Sequence, residues 1–217
     1  MERSLRSVRR VTSTGLPTRY GDFRLLLYKA HDAAEEHMAL VAGPQDALGG
    51  DAPVLVRVHS ECLTGDLFGS RRCDCGQQLE ESLRILSREG RGILLYLRQE
   101  GRGIGLTRKI DAYRLQEQGL DTVEANLALG LPEDARDYGV AAAILADLDA
   151  CRVRLLTNNP DKVEGLERHA VEVTERLPLV VTPNPANLRY LETKRDRMGH
   201  LLDASLPSGD DSPWRRA

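Results

Sequence analysis

The sequence contains no apolar stretch long enough to span a membrane, and its first twelve residues, although basic, lack the apolar core of a secretory signal. The chain therefore reads as cytoplasmic. It also lacks an excess of positive charge. With 30 Lys and Arg against 33 Asp and Glu, the formal net charge is -3, which offers no overall basic field to a nucleic-acid polymer. A small anionic ligand stays compatible, because arginines and lysines occur in local clusters. Repeats and low-complexity tracts are absent. Cysteine is scarce, at four residues, and without an export signal that number points to thiols or metal ligands and away from a disulfide framework.

What is present fits one sizeable domain that buries its own core. Compact apolar runs bounded by Gly, Pro or charge predict strands at Phe23 to Tyr28, Met38 to Val41, Val54 to Val58, Ile93 to Leu97, Val153 to Leu156 and Leu179 to Val181. Helical spacing recurs at Leu79, Leu83 and Leu86, at Leu106, Ile110 and Tyr113, and at Val140, Ile144 and Leu148. The class is α/β, and ligands are expected in loops at strand carboxyl ends. Residues 43–50 read as a Gly- and Pro-punctuated linker. Residues 1–15 are expected to be a flexible basic terminus, and 203–217, poor in apolar residues, a disordered tail.

Cys62, Cys73 and Cys75 stand close together, with Gly65 and Gly69 allowing the segment between them to fold back. Three soft thiolates suit Zn²⁺. Three ligands leave one position open, as in a catalytic site where bound water is acidified; a structural site closed by Cys151 or His59 is the competing reading. Cys151 on its own reads as a small buried apolar residue.

Two loops suit an anion. Arg98 to Gly105 carries three glycines and two arginines between a strand and a helix, where backbone N–H groups and guanidinium forks can meet phosphate oxygens. Thr157 to Lys162 again ends a strand and opens a helix, although its Asn and Pro could equally serve only the turn. Arg57 and Arg71 fit solvated charges as well as ligand contacts. Asp134 and Arg136 fit a helix-capping aspartate beside a surface arginine. Tyr113 fits a core residue with a hydroxyl partner.

These residues are those by which the sequence resembles GTP cyclohydrolase II. The resemblance runs from about Leu16 to Leu202, in the blocks Arg57 to Cys62, Arg72 to Gly76, Arg98 to Leu106, Asp121 to Asn126 and Leu155 to Pro160. It implies a catalytic domain over residues 16–202, built as a layered mixed sheet with flanking helices. The implied activity is homodimeric and opens the imidazole ring of GTP by attack at guanine C8, releasing formate and pyrophosphate as the first step of riboflavin biosynthesis. Zn²⁺ on Cys62, Cys73 and Cys75 and Mg²⁺ on the triphosphate are the implied cofactors.

The resemblance further implies Asp134 as proton acceptor, Arg136 as a proposed nucleophile and Tyr113 as a residue near the reacting ring. A guanidinium is almost never deprotonated, so charge stabilisation of the leaving pyrophosphate suits Arg136 better. GTP contacts carried over are Arg57, Val58, His59, Ser60, Glu61, Gln78, Glu100, Gly101, Arg102, Thr122, Thr157 and Lys162. Glu100 is the expected reader of guanine, since a carboxylate accepts from both N1–H and the amino group.

Departures from the family pattern fall at Arg72, Ala141, Ala143 and Ala170, the last replacing a usual glycine. They leave open a paralogue that stops at a formamidopyrimidine nucleotide. A zinc-stabilised nucleotide-binding module without turnover is the reading from another class. The dihydroxybutanone-phosphate synthase domain often fused upstream is expected to be absent, because about fifteen residues precede the resemblance.

Overall fold

The computed structural model describes residues 8–30, 35–132 and 134–202, so the expectations for residues 1–7 and for the tail at 203–217 lie outside the described residues. Strands β1 (Val8–Thr18), β2 (Gly21–Ala30), β3 (Glu36–Ala42), β4 (Val54–Ser60), β5 (Gly92–Leu97), β6 (Arg152–Leu156) and β7 (Glu172–Leu177) form one sheet in the order β1-β2-β3-β5-β4-β6-β7. The three pairings from β1 to β5 are antiparallel, and β5, β4, β6 and β7 run parallel. This is the layered mixed sheet that the family resemblance implies.

Helices cover both faces. Along β4, Val54, Val56 and Val58 pack in one cluster with Val140, Ile144 and Leu145 of α5 (Gly139–Asp147) and Leu166 of α6 (Pro160–Glu167). Leu55 turns the other way, to Leu83 and Leu86 of α2 (Cys75–Glu89). A strand buried on both faces needs apolar residues at every position, which is why the parallel strands read as unbroken apolar runs. The spacing of Leu79, Leu83 and Leu86 gives α2 its buried stripe, and Gly90, at φ 69°, ends the helix in a left-handed cap.

The edges of the sheet correct two expectations. Residues 8–15 are the first part of β1, paired with β2, and not a flexible terminus. The strand is almost wholly exposed, so no apolar alternation marks it; backbone pairing and a clasp from Arg10 to Asp147 hold it. At the opposite edge the strand is the polar Glu172–Leu177, and Leu179 to Val181 lie in a loop. Leu179 is nonetheless buried, because the Asn158 side chain stands in for a neighbouring strand: its Nδ2 donates to Leu179 O at 2.7 Å and its Oδ1 accepts from Leu179 N at 3.0 Å.

Helix α3 (Leu106–Glu117) forms where expected but with its faces exchanged. Leu106 and Ile110 are exposed, whereas Lys109 and Ala112 are buried. The 43–50 linker contains a short 3-10 turn, Gln45–Ala47. Among the described residues no helix is long and apolar enough to cross a membrane.

Candidate functional site

The connection from β4 to β5 through α2 leaves β4 on one side, and that from β6 to β7 through α6 leaves β6 on the other. A crevice therefore opens between the carboxyl ends of β4 and β6, the usual ligand position in such sheets. A cleft of about 1110 Å³, including its mouth, lies there, comparable with the roughly 300–1,000 Å³ of small-molecule sites.

Cys62 follows β4 and caps α1 (Leu63–Asp66), while Cys73 and Cys75 stand at the start of α2. Their three sulfurs lie within 4.8 Å of one another, with Cys62 Sγ 3.7 Å from Cys73 Sγ. Tetrahedral zinc with bonds of about 2.3 Å sets its sulfurs roughly 3.8 Å apart, so the spacing fits that ion. Gly65 makes room for it, since a Cβ there would lie 2.8 Å from Cys73 Sγ and 3.1 Å from Cys62 Sγ. Asp66 fixes the loop by accepting from Cys62 N at 2.9 Å, Tyr96 Oη at 2.9 Å and His59 Nε2 at 3.0 Å.

Neither Cys151 nor His59 belongs to the thiol group, so among the described residues three ligands converge and a closure by either is not seen. Cys151 is only partly buried. The neighbouring Cys73 and Cys75, and then the Lys109 ammonium, hold the Cys62 thiol far below its ordinary range.

The loop after β5 supplies the next wall. Glu100 Oε2 accepts from Leu63 N at 2.7 Å, and its Oε1 accepts from Gly101 N and Lys109 Nζ, each at 2.8 Å. Both oxygens expected to read guanine are thus engaged by the protein. Gly101 and Arg102 both take left-handed φ, 62° and 60°; for an arginine this is a strained position of the kind that clusters at functional sites. Gly103 is needed because a Cβ would meet Ala135 O at 2.9 Å. That close approach, with Ala135 N donating to Arg102 O at 3.0 Å, brings the segment bearing Arg136 against the cleft.

Buried cations form the far side. Arg57 is not a solvated charge: its Nη1 donates to Leu156 O at 3.0 Å and its Nη2 to Gln78 Oε1 at 2.7 Å, and burial lowers its pKa to about 10. Gln78 in turn donates to Asp74. Lys162 Nζ donates to Val58 O at 2.7 Å, and burial, followed by Arg57, Arg136 and Lys194, pulls it well below the usual lysine range. The Arg136 side chain, only 9% exposed, does not stand free on the surface and grips Asp134 through Nε at 2.9 Å to both carboxylate oxygens. Burial opposes the charge of Asp134, but Arg136 outweighs it and holds the carboxyl below its ordinary range. Asp134 caps no helix, since Tyr138 occupies that place at α5.

Of the residues expected from the sequence, Tyr113, Arg57, His59, Ser60, Glu61, Gln78, Glu100, Gly101, Arg102, Thr122, Thr157, Lys162, Arg136 and the three cysteines border the cleft. Asp134 stands behind Arg136, and the Val58 side chain lies in the core, leaving its carbonyl to hold Lys162. Glu61 is tied to Arg98 at 2.7 Å. Among the described residues, Ser60 Oγ, Arg57 Nε, Arg102 Nη1 and Asn159 Nδ2 are buried without a partner, the condition of a polar wall that awaits a ligand.

Lys109, Asn126, Asn159, Lys194 and His200 also border the cleft and were missed by sequence reasoning. Asn126 and Asn159 lie inside the blocks that carry the family resemblance. Lys109 and Lys194 look like surface lysines in polar helices and give no local signal.

A family model described as GTP cyclohydrolase II matches residues 9–178. Curated relatives include proteins named riboflavin biosynthesis protein RibBA. The one from Chlorobium phaeovibrioides is 54% identical over 94% of this chain and 49% of the relative. Those from Salinispora tropica and Mycobacteroides abscessus are 57% and 56% identical, over 92% and 95% of this chain and 50% and 49% of their own. The chain spans about half the length of these relatives. Because the family match runs through the loops after β4, β5 and β6 that frame the cleft, the chain belongs to the GTP cyclohydrolase II family.

Proposed function

We propose that this protein hydrolyses GTP, opening the imidazole ring with release of formate and pyrophosphate to leave a diaminopyrimidinone nucleotide, the entry step of riboflavin biosynthesis. One observation carries the reading: three thiolates at zinc spacing and a set of buried cations face the same cleft, so one substrate can meet both with its base and its phosphates. Zinc, when bound, supplies Lewis acidity at the coordination position that three protein ligands leave open.

The chain's own residues divide the remaining work. Arg57, Arg102, Arg136 and Lys162 hold the phosphates, with Thr157 and Thr122 as neutral donors and Ser60, Glu61, Gln78 and Gly101 completing the contacts; Mg²⁺ accompanies the triphosphate. Arg136 stabilises the departing pyrophosphate by charge. Asp134 orients Arg136, and accepts a proton only once that guanidinium turns to the phosphates. Tyr113, pushed up to about 12 chiefly by burial, keeps its Oη proton and assists deformylation as a hydrogen-bond donor to the reacting group. His59, kept neutral by burial, steadies Asp66 and through it Cys62. Glu100 holds Lys109 and the Leu63 amide beside the thiolates, and the acceptor sites left on its carboxylate serve the N1–H and amino group of guanine.

The homodimer reading is supported by Phe68 and Ile110, exposed apolar residues that line one depression together with Tyr113. We place the reaction in the cytoplasm. The test is mass spectrometry of products from zinc-loaded protein incubated with GTP and Mg²⁺, with formate assayed in parallel. Formate and the diaminopyrimidinone monophosphate are expected. Unchanged GTP would overturn the reading, and a formyl-retaining product would remove its second hydrolysis.

A further inference from the structure

Residues 188–202 follow the stretch matched by the family model, yet they close one side of the cleft with Tyr190, Lys194 and His200. Helix α7 (Leu188–Met198) is polar, and one of its few buried side chains is a lysine. Lys194 Nζ donates to Asp74 Oδ1 at 2.8 Å, with 10% and 1% of the two side chains exposed, and sits 4.4 Å from the Tyr190 ring centroid. The segment is tied at both ends: Asn187 Nδ2 donates to Cys73 O at 3.4 Å, and Leu201 N to Asn158 O at 2.9 Å. Gly199, at φ 62°, ends the helix in a left-handed cap just before His200 joins the wall.

Around this wall stand Arg57, Arg102, Arg136, Lys162 and Lys194, of which Arg136 pairs with Asp134 and Lys194 with Asp74. Glu61 and Glu100 are already taken by Arg98 and Lys109. Like charges buried together are costly unless an anion joins them. His200 adds no charge to the crowd, because burial, and then Lys194, Arg136, Arg102 and Lys162, push its imidazole down to about 2. A neutral imidazole keeps one donor and one acceptor, and a lysine that gives one N–H to Asp74 keeps two more.

We propose that Lys194 and His200 are substrate-binding residues that complete a polyphosphate seat, so that residues 188–202 form the wall against which the phosphate chain lies. Only the identity of the nucleotide rests on the GTP reading; the chemistry recognised is a run of linked phosphates.

The test titrates inorganic tripolyphosphate into the zinc-loaded 217-residue wild type and into Lys194→Met, Lys194→Arg and His200→Ala, with zinc content measured for each. Lys194→Met should weaken tripolyphosphate binding about 10–100-fold, as expected for a lost charged hydrogen bond, and Lys194→Arg should restore most of it. His200→Ala leaves the Asp74 pair intact and should still weaken binding several-fold, with the KM for GTP rising more than kcat falls. Unchanged affinity in both variants would overturn the proposal. So would loss confined to Lys194→Met and accompanied by loss of zinc, which would make Lys194 a brace for the metal loop. Wild type that bound tripolyphosphate but left GTP unchanged would uphold this seat and overturn the GTP reading.

Discussion

The Lys109 ammonium lies 3.0 Å from Cys62 Sγ, in line to donate to that sulfur while its other contact goes to Glu100 at 2.8 Å. Three thiolates around a dication carry a net negative charge, and Lys109 is the cation set beside it. Lys109→Met should therefore loosen metal retention by about 10–100-fold, the usual effect of removing such an outer partner. Competition of bound zinc against a chelator would measure this. Equal retention in variant and wild type would show that the lysine serves only to hold Glu100.

Acid should act on the first strand. Asp147 accepts from Tyr28 Oη and from Arg10 Nη2, each at 2.6 Å, joining β1 and β2 to the end of α5. Burial raises its carboxyl, but these donors outweigh it and the pKa is held below the ordinary value. An unfolded chain, with an ordinary aspartate near 3.9, then takes up the proton more readily than the folded one. The stabilisation is complete at neutral pH and lost as pH falls below about 4 through the folded value. Asp147→Asn should lower Tm by about 2–4 °C at pH 7, a small effect for a partly exposed pair, and the gap should close in acid. A gap constant from neutral pH into acid would argue against a charge effect.

Ala170 holds φ 62°, just after α6, where Ala170 N donates to Glu167 O. A side chain disfavours this left-handed turn by roughly 1–2 kcal/mol, partly offset by the greater freedom that glycine has when unfolded. Ala170→Gly should raise Tm by about 1–2 °C. Calorimetry would show it; a decrease would mean that the methyl group makes contacts worth more than the turn costs.

Phe68 is 72% exposed and Ile110 47%, and both border one depression with Arg114 and Glu117. Light scattering should find a dimer for the wild type and a monomer for Ile110→Asp or Phe68→Asp, because an aspartate at the centre of an apolar contact leaves a buried charge. A monomeric wild type would remove the dimer from the proposal.

The central strands were legible because burial on two faces demands unbroken apolar runs, as in Val54 to Val58. The edge strands were not, since β1 and β7 owe their form to backbone pairing that polar side chains do not advertise. Leu179 looked like a strand because it is buried, yet a single asparagine amide holds it. The thiol triad could be read from Cys62, Cys73 and Cys75, which converge as their spacing suggested. The engagement of Glu100 and the grip of Arg136 on Asp134 depend on which groups meet in space, and no spacing rule reports that. Lys109 and Lys194 are hidden for the same reason, each buried against a carboxylate delivered by another part of the chain.

A line of contacts runs from Arg57 through Gln78 and Asp74 to Lys194, and Asp74 sits between two of the thiols. Helix α7 is thereby mortised into the cysteine loop. Replacing residues 188–202 wholesale would empty the socket that Asp74 and Gln78 provide, so any change at Lys194 is felt by residues more than a hundred positions earlier.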